Sequence, residues 1–349
     1  MPPSRSDHHT PSKRVTLKDV AEAADVSVMT VSNVLHNKAN VSPQTRKKVK
    51  KEIARLGYVP AQAARSLRAS KQWSIGFLIV DQTKTYMADY TVAEWTASIS
   101  ARLNSYGYSL LLHAGTPEDI AETTILQRFS VDGIILHVSG DETKRRQIIN
   151  LVKTLGVPIV LVQASTDDVS GDCVHVQQAD FDGARQIADH LAARGAREIL
   201  VVITQARWAA FEERYNGLKH GVKSLRSGIK VSVLRTASES PHDVQHAVER
   251  HILKSGLPDA IAGGNDAVAA AAMKKVRDLG HSVPKDVLVT GFNGVPIAEL
   301  TSPTLTTVVA SGQPLGEVAV ETLINRLETG RFEHDDVTIP MTLRMGHST

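Results

Sequence analysis

From Ser74 onward, short apolar runs alternate with longer segments of helical periodicity. SIGFLIV (74–80) and VDGIILHV (131–138) are mostly apolar and of strand length, and amphipathic patterns such as VAEWTASISARLNSYGY follow such runs. Strands that are apolar on both faces are typical of parallel sheets covered by helices on both sides. The alternation therefore predicts a doubly wound α/β fold for most of the chain.

The alternation occurs as two similar sets in series, which predicts two lobes. The first set runs through VPIVLVQ (157–163), and the second runs from DCVHV (172–176) to DVLVTGF (286–292). Two such units enclose a cleft whose walls are the loops at the carboxyl ends of the strands, where ligands bind in sheets of this kind. We therefore expect a small-molecule site between the lobes.

Charge is distributed unevenly along the chain. Residues 1–72 hold 14 Lys and Arg against 5 Asp and Glu, whereas the remaining residues hold 26 against 32. A basic segment joined to a mildly acidic body suggests a polyanion as partner of that segment, although a solvated basic tail explains the charge equally well. The single cysteine, Cys173, suits a reducing cytoplasm, and no apolar run is long enough to predict a membrane span.

Three short helices are predicted within the basic segment. Thr16 and Asp19 form a capping-box pattern at the start of the first helix, and Ser27 is placed to cap a second helix after a tight turn. Two helices of about eight residues joined by a tight turn have helix-turn-helix geometry. A third helix is predicted from Ser42-Pro43 to Gly57, a residue type that ends helices in the left-handed conformation.

The second of these helices carries apolar side chains on the side that faces water. Its apolar stripe is formed by Val31, Val34 and Leu35, so Val28 and Met29 point away from it, together with Asn33. An apolar outer side on a small basic unit indicates a surface that contacts a partner.

The motifs of this segment resemble those of the LacI/GalR family of bacterial transcriptional regulators. The matching runs are TLKDVA, VSVMTVSNV, VSPQTRKKV, LGYVP and ARSL. The body resembles the same family's effector domain, which is similar to periplasmic sugar-binding proteins, through VDGIIL, HLAARGAREI, RYNG, GGNDAVAAAAM, GHSVPKDVLVTGFN and SPTLTTV. The resemblance implies an all-α helix-turn-helix head and an α/β two-lobed body built of two doubly wound parallel sheets.

The resemblance also implies domain boundaries. We expect a disordered leader at 1–13, whose polar sequence lacks the apolar core of a signal peptide, then a helix-turn-helix domain at 14–59 and a hinge helix with linker at 60–72. The effector-binding and dimerisation domain would follow at 73–349. Its chain would cross between the lobes three times, with the N-lobe at about 73–172 and 303–332 and the C-lobe at about 173–302 and 333–349.

By the same resemblance, Val28, Met29 and Asn33 would meet base edges in the major groove. Hydroxyls would bond phosphates and fix the docking pose, and the hinge residues would act in the minor groove, where Leu67 opens a base step and Ala64 packs beside it. The complete predicted DNA-binding set is Thr16, Ser27, Val28, Met29, Thr30, Ser32, Asn33, Thr45, Ala64 and Leu67. The chain departs from the family pattern at Asp25, usually Gly, and at Ala61, usually Asn.

For the effector, the resemblance implies contacts from Arg214, Asn265 and Asn293. Gln163, Tyr86 and Trp208 complete the predicted site. Asn293 stands where the family most often has Asp, which would leave the Arg214 guanidinium less compensated. We therefore expect a sugar acid or a sugar phosphate, with a neutral sugar as the alternative.

Enzyme motifs are missing from the sequence. No G-x-G-x-x-G follows the first strand, no G-x-S-x-G is present, and the 14 His residues form no ligand pattern, so neither a cofactor nor a metal is expected. We expect a cytoplasmic homodimer that reads palindromic double-stranded DNA as a repressor and is released by a small-molecule effector. A corepressor-dependent repressor or an activator of the same architecture stays open, and a cytoplasmic α/β enzyme is a remote alternative.

Overall fold

The computed structural model describes residues 15–35, 41–58, 71–81, 90–122, 130–164, 171–205, 208–225 and 228–349. The chain divides into two compact units, the head (residues 1–72) and the body (residues 73–349). No helix in these ranges is long and apolar enough to cross a bilayer.

The described residues of the head form three helices around a small core. They are α1 (Leu17–Ala23), α2 (Val28–Leu35) and α3 (Pro43–Leu56). The fully covered side chains of this core are Val20, Ala21, Ala24, Val31, Val34 and Val49. The apolar spacing of the sequence therefore predicted the buried face of each helix.

Local signals in the sequence fix where these helices begin and end. The Thr16 hydroxyl accepts from the Asp19 N–H at 3.3 Å while the Asp19 carboxylate accepts from the Thr16 N–H at 2.7 Å, which confirms the capping box. Asp25 turns the chain between α1 and α2 with φ 50°. Gly57 ends α3 with φ 61°, as predicted for a left-handed end residue.

The body contains two parallel sheets that are covered by helices on both faces. Its strands are β1 (Ser74–Val80), β2 (Ser109–Gly115), β3 (Gly133–Val138), β4 (Ile159–Val162), β5 (Cys173–Gln178), β6 (Glu198–Thr204), β7 (Lys230–Thr236), β8 (Ala260–Gly263), β9 (Leu288–Thr290), β10 (Thr307–Ala310), β11 (Asp336–Ile339) and β12 (Met341–Arg344). Its helices are α4 (Tyr90–Ser105), α5 (Pro117–Glu122), α6 (Glu142–Lys153), α7 (Asp180–Ala193), α8 (Ala209–Ser224), α9 (Pro241–Ser255), α10 (Asp266–Asp278), α11 (Ile297–Leu300) and α12 (Leu315–Thr329).

Each sheet forms the centre of one lobe. The first sheet has the strand order β11-β5-β4-β3-β1-β2 and, with the helices packed on it, forms the N-lobe. The second has the order β7-β6-β8-β9 and forms the C-lobe together with the antiparallel pair β10-β12. An apolar cluster covers each face of each sheet, which is why the strands are apolar on both sides.

The lobes exchange segments at positions that differ from the predicted boundaries. Strand β5 lies in the first sheet between β4 and β11, so the N-lobe extends beyond 172, and β11 places part of 333–349 in the N-lobe as well. Strand β10 belongs to the C-lobe because Val308 packs in its core. These placements were wrong because an apolar run marks a strand but does not specify its sheet. The chain still crosses three times, after β5, after β10 and after β11.

Candidate functional site

The outer side of α2 presents the side chains that the sequence placed there. Val28 is 42% exposed and Met29 is 70% exposed, whereas Val31 on the opposite side is fully buried. Asn33 is partly buried on the same helix. The two apolar side chains therefore form an open surface on the head that the head's own core does not cover.

The predicted phosphate-contacting hydroxyls differ in their accessibility. Thr30 lies within 2.9 Å of the Ser27 hydroxyl, and Thr45 lies within 2.8 Å of the Ser42 hydroxyl, so each shares a hydrogen bond at a helix start. Ser32 is only 9% exposed, on the covered side of α2. Thr16 is exposed and bonds Asp19. Ala64 and Leu67 lie outside the described residues, so the hinge roles stay predictions.

A narrow cleft lies between the two lobes of the body. Of the six predicted effector residues, five line it, and Tyr86 lies outside the described residues. The N-lobe wall comprises Thr91, Val92, Trp95, His137, Val138, Ser139 and Gln163, and the C-lobe wall comprises Trp208, Ala209, Ala210, Phe211, Arg214, Asn265 and Asn293. Because its wall residues come from both lobes, the shape of the cleft depends on the angle between the two lobes.

Arg214 is the buried cation of the cleft. It projects from α8 and its guanidinium lies 3.9 Å from the centre of the Phe292 ring. Nε donates to Asp180 at 3.1 Å, Nη1 to the Gly264 carbonyl at 2.6 Å and Nη2 to the Asn293 Oδ1 at 2.8 Å. Since a guanidinium has five N–H groups, two remain for a ligand.

Asp180 is the carboxylate partner of Arg214, and it was missed from the sequence. It lies in the first turn of α7, 5% exposed, directly after the chain crosses from β5 into the C-lobe. Its second oxygen accepts from Gln163 Nε2 at 2.8 Å. Burial raises the pKa of Asp180, against the opposing effects of the Arg214 charge and the hydrogen bonds from Arg214 and Gln163.

This ion pair overturns the reason for expecting an acidic ligand. Asn293 does replace a carboxylate beside Arg214, but Asp180 supplies another one from a different helix. The Arg214 guanidinium is therefore compensated, and its position alone favours no anionic group. No motif signals Asp180 in the sequence, because its partner lies 34 residues further along the chain.

Two residues of the cleft have positive φ angles, which residues other than glycine rarely adopt. Asn293 has φ 96° and Gln163 has φ 50°. Left-handed conformations of this kind cost of the order of 1–3 kcal/mol and occur preferentially at functional sites. Asn293 Nδ2 donates to the Thr91 hydroxyl at 2.8 Å, so Gln163–Asp180 and Asn293–Thr91 form two polar bridges from one lobe to the other.

Asn265 has a structural as well as a lining role. Its Oδ1 caps α10 by accepting from the Val268 N–H at 2.9 Å, and its Nδ2 donates to Glu239 at 2.8 Å. Asp266, the next residue, is fully buried and accepts from the Val295 N–H at 2.8 Å. The start of α10 thus holds the segment that carries Asn293.

Aromatic rings form the apolar part of the cleft wall. Trp208 stacks on Phe211 with ring centres 5.6 Å apart, and Trp95 meets His137 edge-on at 5.2 Å. Among the described residues, the buried Trp208 Nε1 has no hydrogen-bond partner. An apolar wall with a few unused donors suits a small ligand that carries hydroxyls on a carbon ring.

Comparisons with known proteins agree with both units. Residues 16–61 match the model of the bacterial regulatory proteins of the lacI family, and residues 188–349 match that of the periplasmic binding protein-like domain. The ribose operon repressor of Halalkalibacterium halodurans is 30% identical over 96% of this chain and 97% of its own. Catabolite control protein A of Priestia megaterium is 28% identical over 96% of this chain and 99% of its own.

Solved structures show the same architecture. The Lac repressor dimer bound to operator and the anti-inducer ONPF superposes with a TM-score of 0.80 at 24% identity, covering 97% of this chain and 99% of that chain. The complex of the transcriptional regulator CelR with cellobiose has a TM-score of 0.67 at 23% identity, covering 96% and 100%. With a helix-turn-helix head, a two-lobed body and a relative at 30% identity over nearly its whole length, the chain belongs to the lacI family of bacterial regulatory proteins and is a DNA-binding transcriptional repressor rather than an enzyme.

Proposed function

We propose that the effector of this repressor is a small carbohydrate that binds in the cleft between the lobes. The observation that carries the proposal is the pairing of an aromatic wall with unused donors, two N–H groups on Arg214 and the Trp208 Nε1. Hydroxyl oxygens accept from such donors while the C–H face of a sugar ring packs on the aromatic rings. Relatives named for ribose and cellobiose support a carbohydrate.

On the DNA side, we propose that α2 enters the major groove. Val28 and Met29 would contact thymine methyl groups, and Asn33 would pair with an adenine edge. Thr30 and Thr45 are accessible for phosphate contacts, whereas Ser32 would need a small rearrangement to reach one. Thr16 and Ser27, at the starts of α1 and α2, would lie next to the DNA phosphate backbone. Leu67 and Ala64 would act in the minor groove.

We further propose that the repressor acts in the cytoplasm as a homodimer and that the effector is an inducer. One small head presents too small a surface to select a site in a genome, so two heads would read a palindrome. The effector would change the lobe angle and disfavour the operator-bound state. Such couplings typically amount to about 1–3 kcal/mol.

The substitution that tests the effector site is Arg214→Lys. Lysine keeps the positive charge beside Asp180 but loses the fork of N–H groups, so carbohydrate affinity is expected to fall by about tenfold or more while operator affinity is retained. Removing the cation altogether with alanine would leave the buried carboxylate uncompensated, at a cost of about 3–5 kcal/mol in stability. The lysine variant therefore separates binding from folding.

The measurement is a thermal-shift and calorimetric screen of the whole protein against D-ribose, D-glucose, cellobiose and their acids. Arg185→Lys is the matched control because Arg185 lies on the surface of α7, paired with Asp182 at 3.6 Å. The proposal fails if no carbohydrate stabilises the wild-type protein, or if Arg214→Lys binds carbohydrate as tightly as the control does.

A further inference from the structure

The formal charges that meet at the floor of the cleft cancel. Among the described residues, Asp180 is the carboxylate that forms an ion pair with Arg214, and both side chains are at least nine-tenths buried. The other described side chains of the cleft wall are polar without formal charge or apolar, with His137 the one titratable ring and its Nδ1 bonded to the Val162 carbonyl at 3.1 Å. A ligand therefore meets a compensated guanidinium.

Two further carboxylates lie on residues next to the cleft wall. Glu239 accepts from the Asn265 amide at 2.8 Å, and Glu213 lies one residue before Arg214 on α8. Burial, and after it the neighbouring Asp180 charge, raise the pKa of Glu213, so the negative charge of Asp180 is felt beyond its own ion pair.

We propose that Asp180 sets the charge selectivity of the cleft, so that neutral polyhydroxylated ligands bind and the corresponding sugar acids and sugar phosphates are rejected. The inference rests on the proposed function of the cleft as a carbohydrate site. A ligand carboxylate could reach Arg214 only by displacing Asp180 from a buried ion pair or by lying beside it, and both are unfavourable. A hydroxyl can accept from the remaining guanidinium N–H groups without disturbing the pair.

Asp180 also connects the two lobes by hydrogen bonds beside the proposed ligand site. One of its oxygens accepts from Arg214 in the C-lobe, and the other accepts from Gln163 in the N-lobe. Asparagine has nearly the volume of aspartate but only one oxygen acceptor, so Asp180→Asn removes the charge together with one of these two hydrogen bonds. A gain of affinity for anions is therefore the result that reports the charge, because a lost hydrogen bond alone would only weaken binding.

The experiment compares wild type with Asp180→Asn by calorimetry at matched ionic strength. The probes are D-glucose with D-glucuronate, D-ribose with D-ribonate, and inorganic phosphate, and the fluorescence of the cleft residues Trp95 and Trp208 gives a second readout. We expect wild type to bind the better neutral sugar at least about tenfold more tightly than its acid, because like charges at close range are strongly disfavoured. Asp180→Asn is expected to reverse that order and to bind phosphate saturably.

Asp182→Asn is the matched control. Asp182 lies two residues further along α7, where its side chain is 65% exposed, and its loss should leave every affinity unchanged. If wild type binds no carbohydrate but Asp180→Asn gains phosphate binding, the proposed function fails and the role of Asp180 stands. If Asp180→Asn gains no affinity for phosphate or for either acid, or if wild type binds the acids as tightly as the sugars, the role of Asp180 is refuted.

A second variant covers the case in which Asp180→Asn does not fold. Asn293 Oδ1 lies 2.8 Å from Arg214 Nη2, so Asn293→Asp places a carboxylate on the other side of the same guanidinium. The double variant Asp180→Asn with Asn293→Asp is expected to restore both folding and the preference for neutral ligands. A double variant that stays unfolded, or that folds and prefers acids, contradicts the proposal.

Discussion

At the scale of single residues, Asp266 predicts a pH dependence of stability. It is fully buried at the start of α10, and burial raises its pKa to about 6, despite hydrogen bonds from the Thr307 hydroxyl and the Val295 N–H. Because the folded protein holds this proton more tightly than the unfolded chain, the contribution of Asp266 is fully present below pH 4 and is lost as pH rises through about 6. The change amounts to about 3 kcal/mol.

The measurement is the free energy of unfolding between pH 4 and 7 for wild type and Asp266→Asn. As pH rises, the free energy of unfolding of wild type should fall relative to that of Asp266→Asn. Asp278→Asn is the control, since a hydrogen bond from Lys274 lowers the pKa of this exposed carboxylate at the other end of α10. Because this carboxylate titrates below the pH range of the measurement, the difference between wild type and Asp278→Asn should stay constant between pH 4 and 7. Identical pH profiles for wild type and Asp266→Asn would contradict the prediction.

Residue roles that depend on neighbours within a few positions could be predicted from the sequence, and those that depend on distant partners could not. The turn at Asp25 and the helix end at Gly57 follow from local backbone preferences, and the structure confirms both. Asp180 acts only through Arg214 and Gln163, which fold towards it from other elements. The charge of the cleft was therefore predicted wrongly from Asn293 alone.

At the scale of elements, the exposed side of α2 predicts that the operator is recognised partly through thymine methyl groups. Met29 is 70% exposed and cannot donate or accept a base-edge hydrogen bond, so its contribution is apolar contact. Replacing the contacted thymine by uracil should weaken wild-type binding by about 0.8 kcal/mol, or roughly fourfold. Met29→Ala should distinguish the thymine and uracil operators less than wild type does, with Val28 accounting for any discrimination that is left.

The operator for this test is the half-site selected by wild type from a random DNA library. Asn33→Ala, on the same helix, serves as the matched variant because the loss of an amide should change the preferred base at one position and leave the sensitivity to the methyl group intact. The role of Met29 is refuted if Met29→Ala still distinguishes thymine from uracil as wild type does.

The elements themselves follow from the sequence, but their assembly into sheets does not. Apolar runs and helical periodicity predicted strands such as β1 and helices such as α3 because each pattern records which side of its own element is buried. Strand β5 has the same pattern in either lobe, and only its pairing with β4 and β11 places it in the first sheet. Non-local pairing of this kind is decided by the packing of the whole lobe.

At the scale of the whole molecule, the three crossings between the lobes connect the cleft to the rest of the body. The first crossing leads directly into Asp180, and the segment held by Asp266 leads through Asn293 towards the second. We therefore expect ligand contacts at these residues to be coupled to the angle between the lobes. A site that binds a ligand better at one lobe angle shifts the population of that angle.

Thermodynamic reciprocity gives the last prediction. If the effector is an inducer, it lowers operator affinity by some factor, typically about 5–150-fold, and saturating operator must lower effector affinity by the same factor. The measurement is the calorimetric affinity of the whole protein for its best carbohydrate ligand with and without the selected operator duplex, and a scrambled duplex of equal length is the control. A corepressor would bind more tightly in the presence of operator. A carbohydrate that binds equally tightly with and without the operator duplex is not the effector, because its binding is not coupled to operator binding.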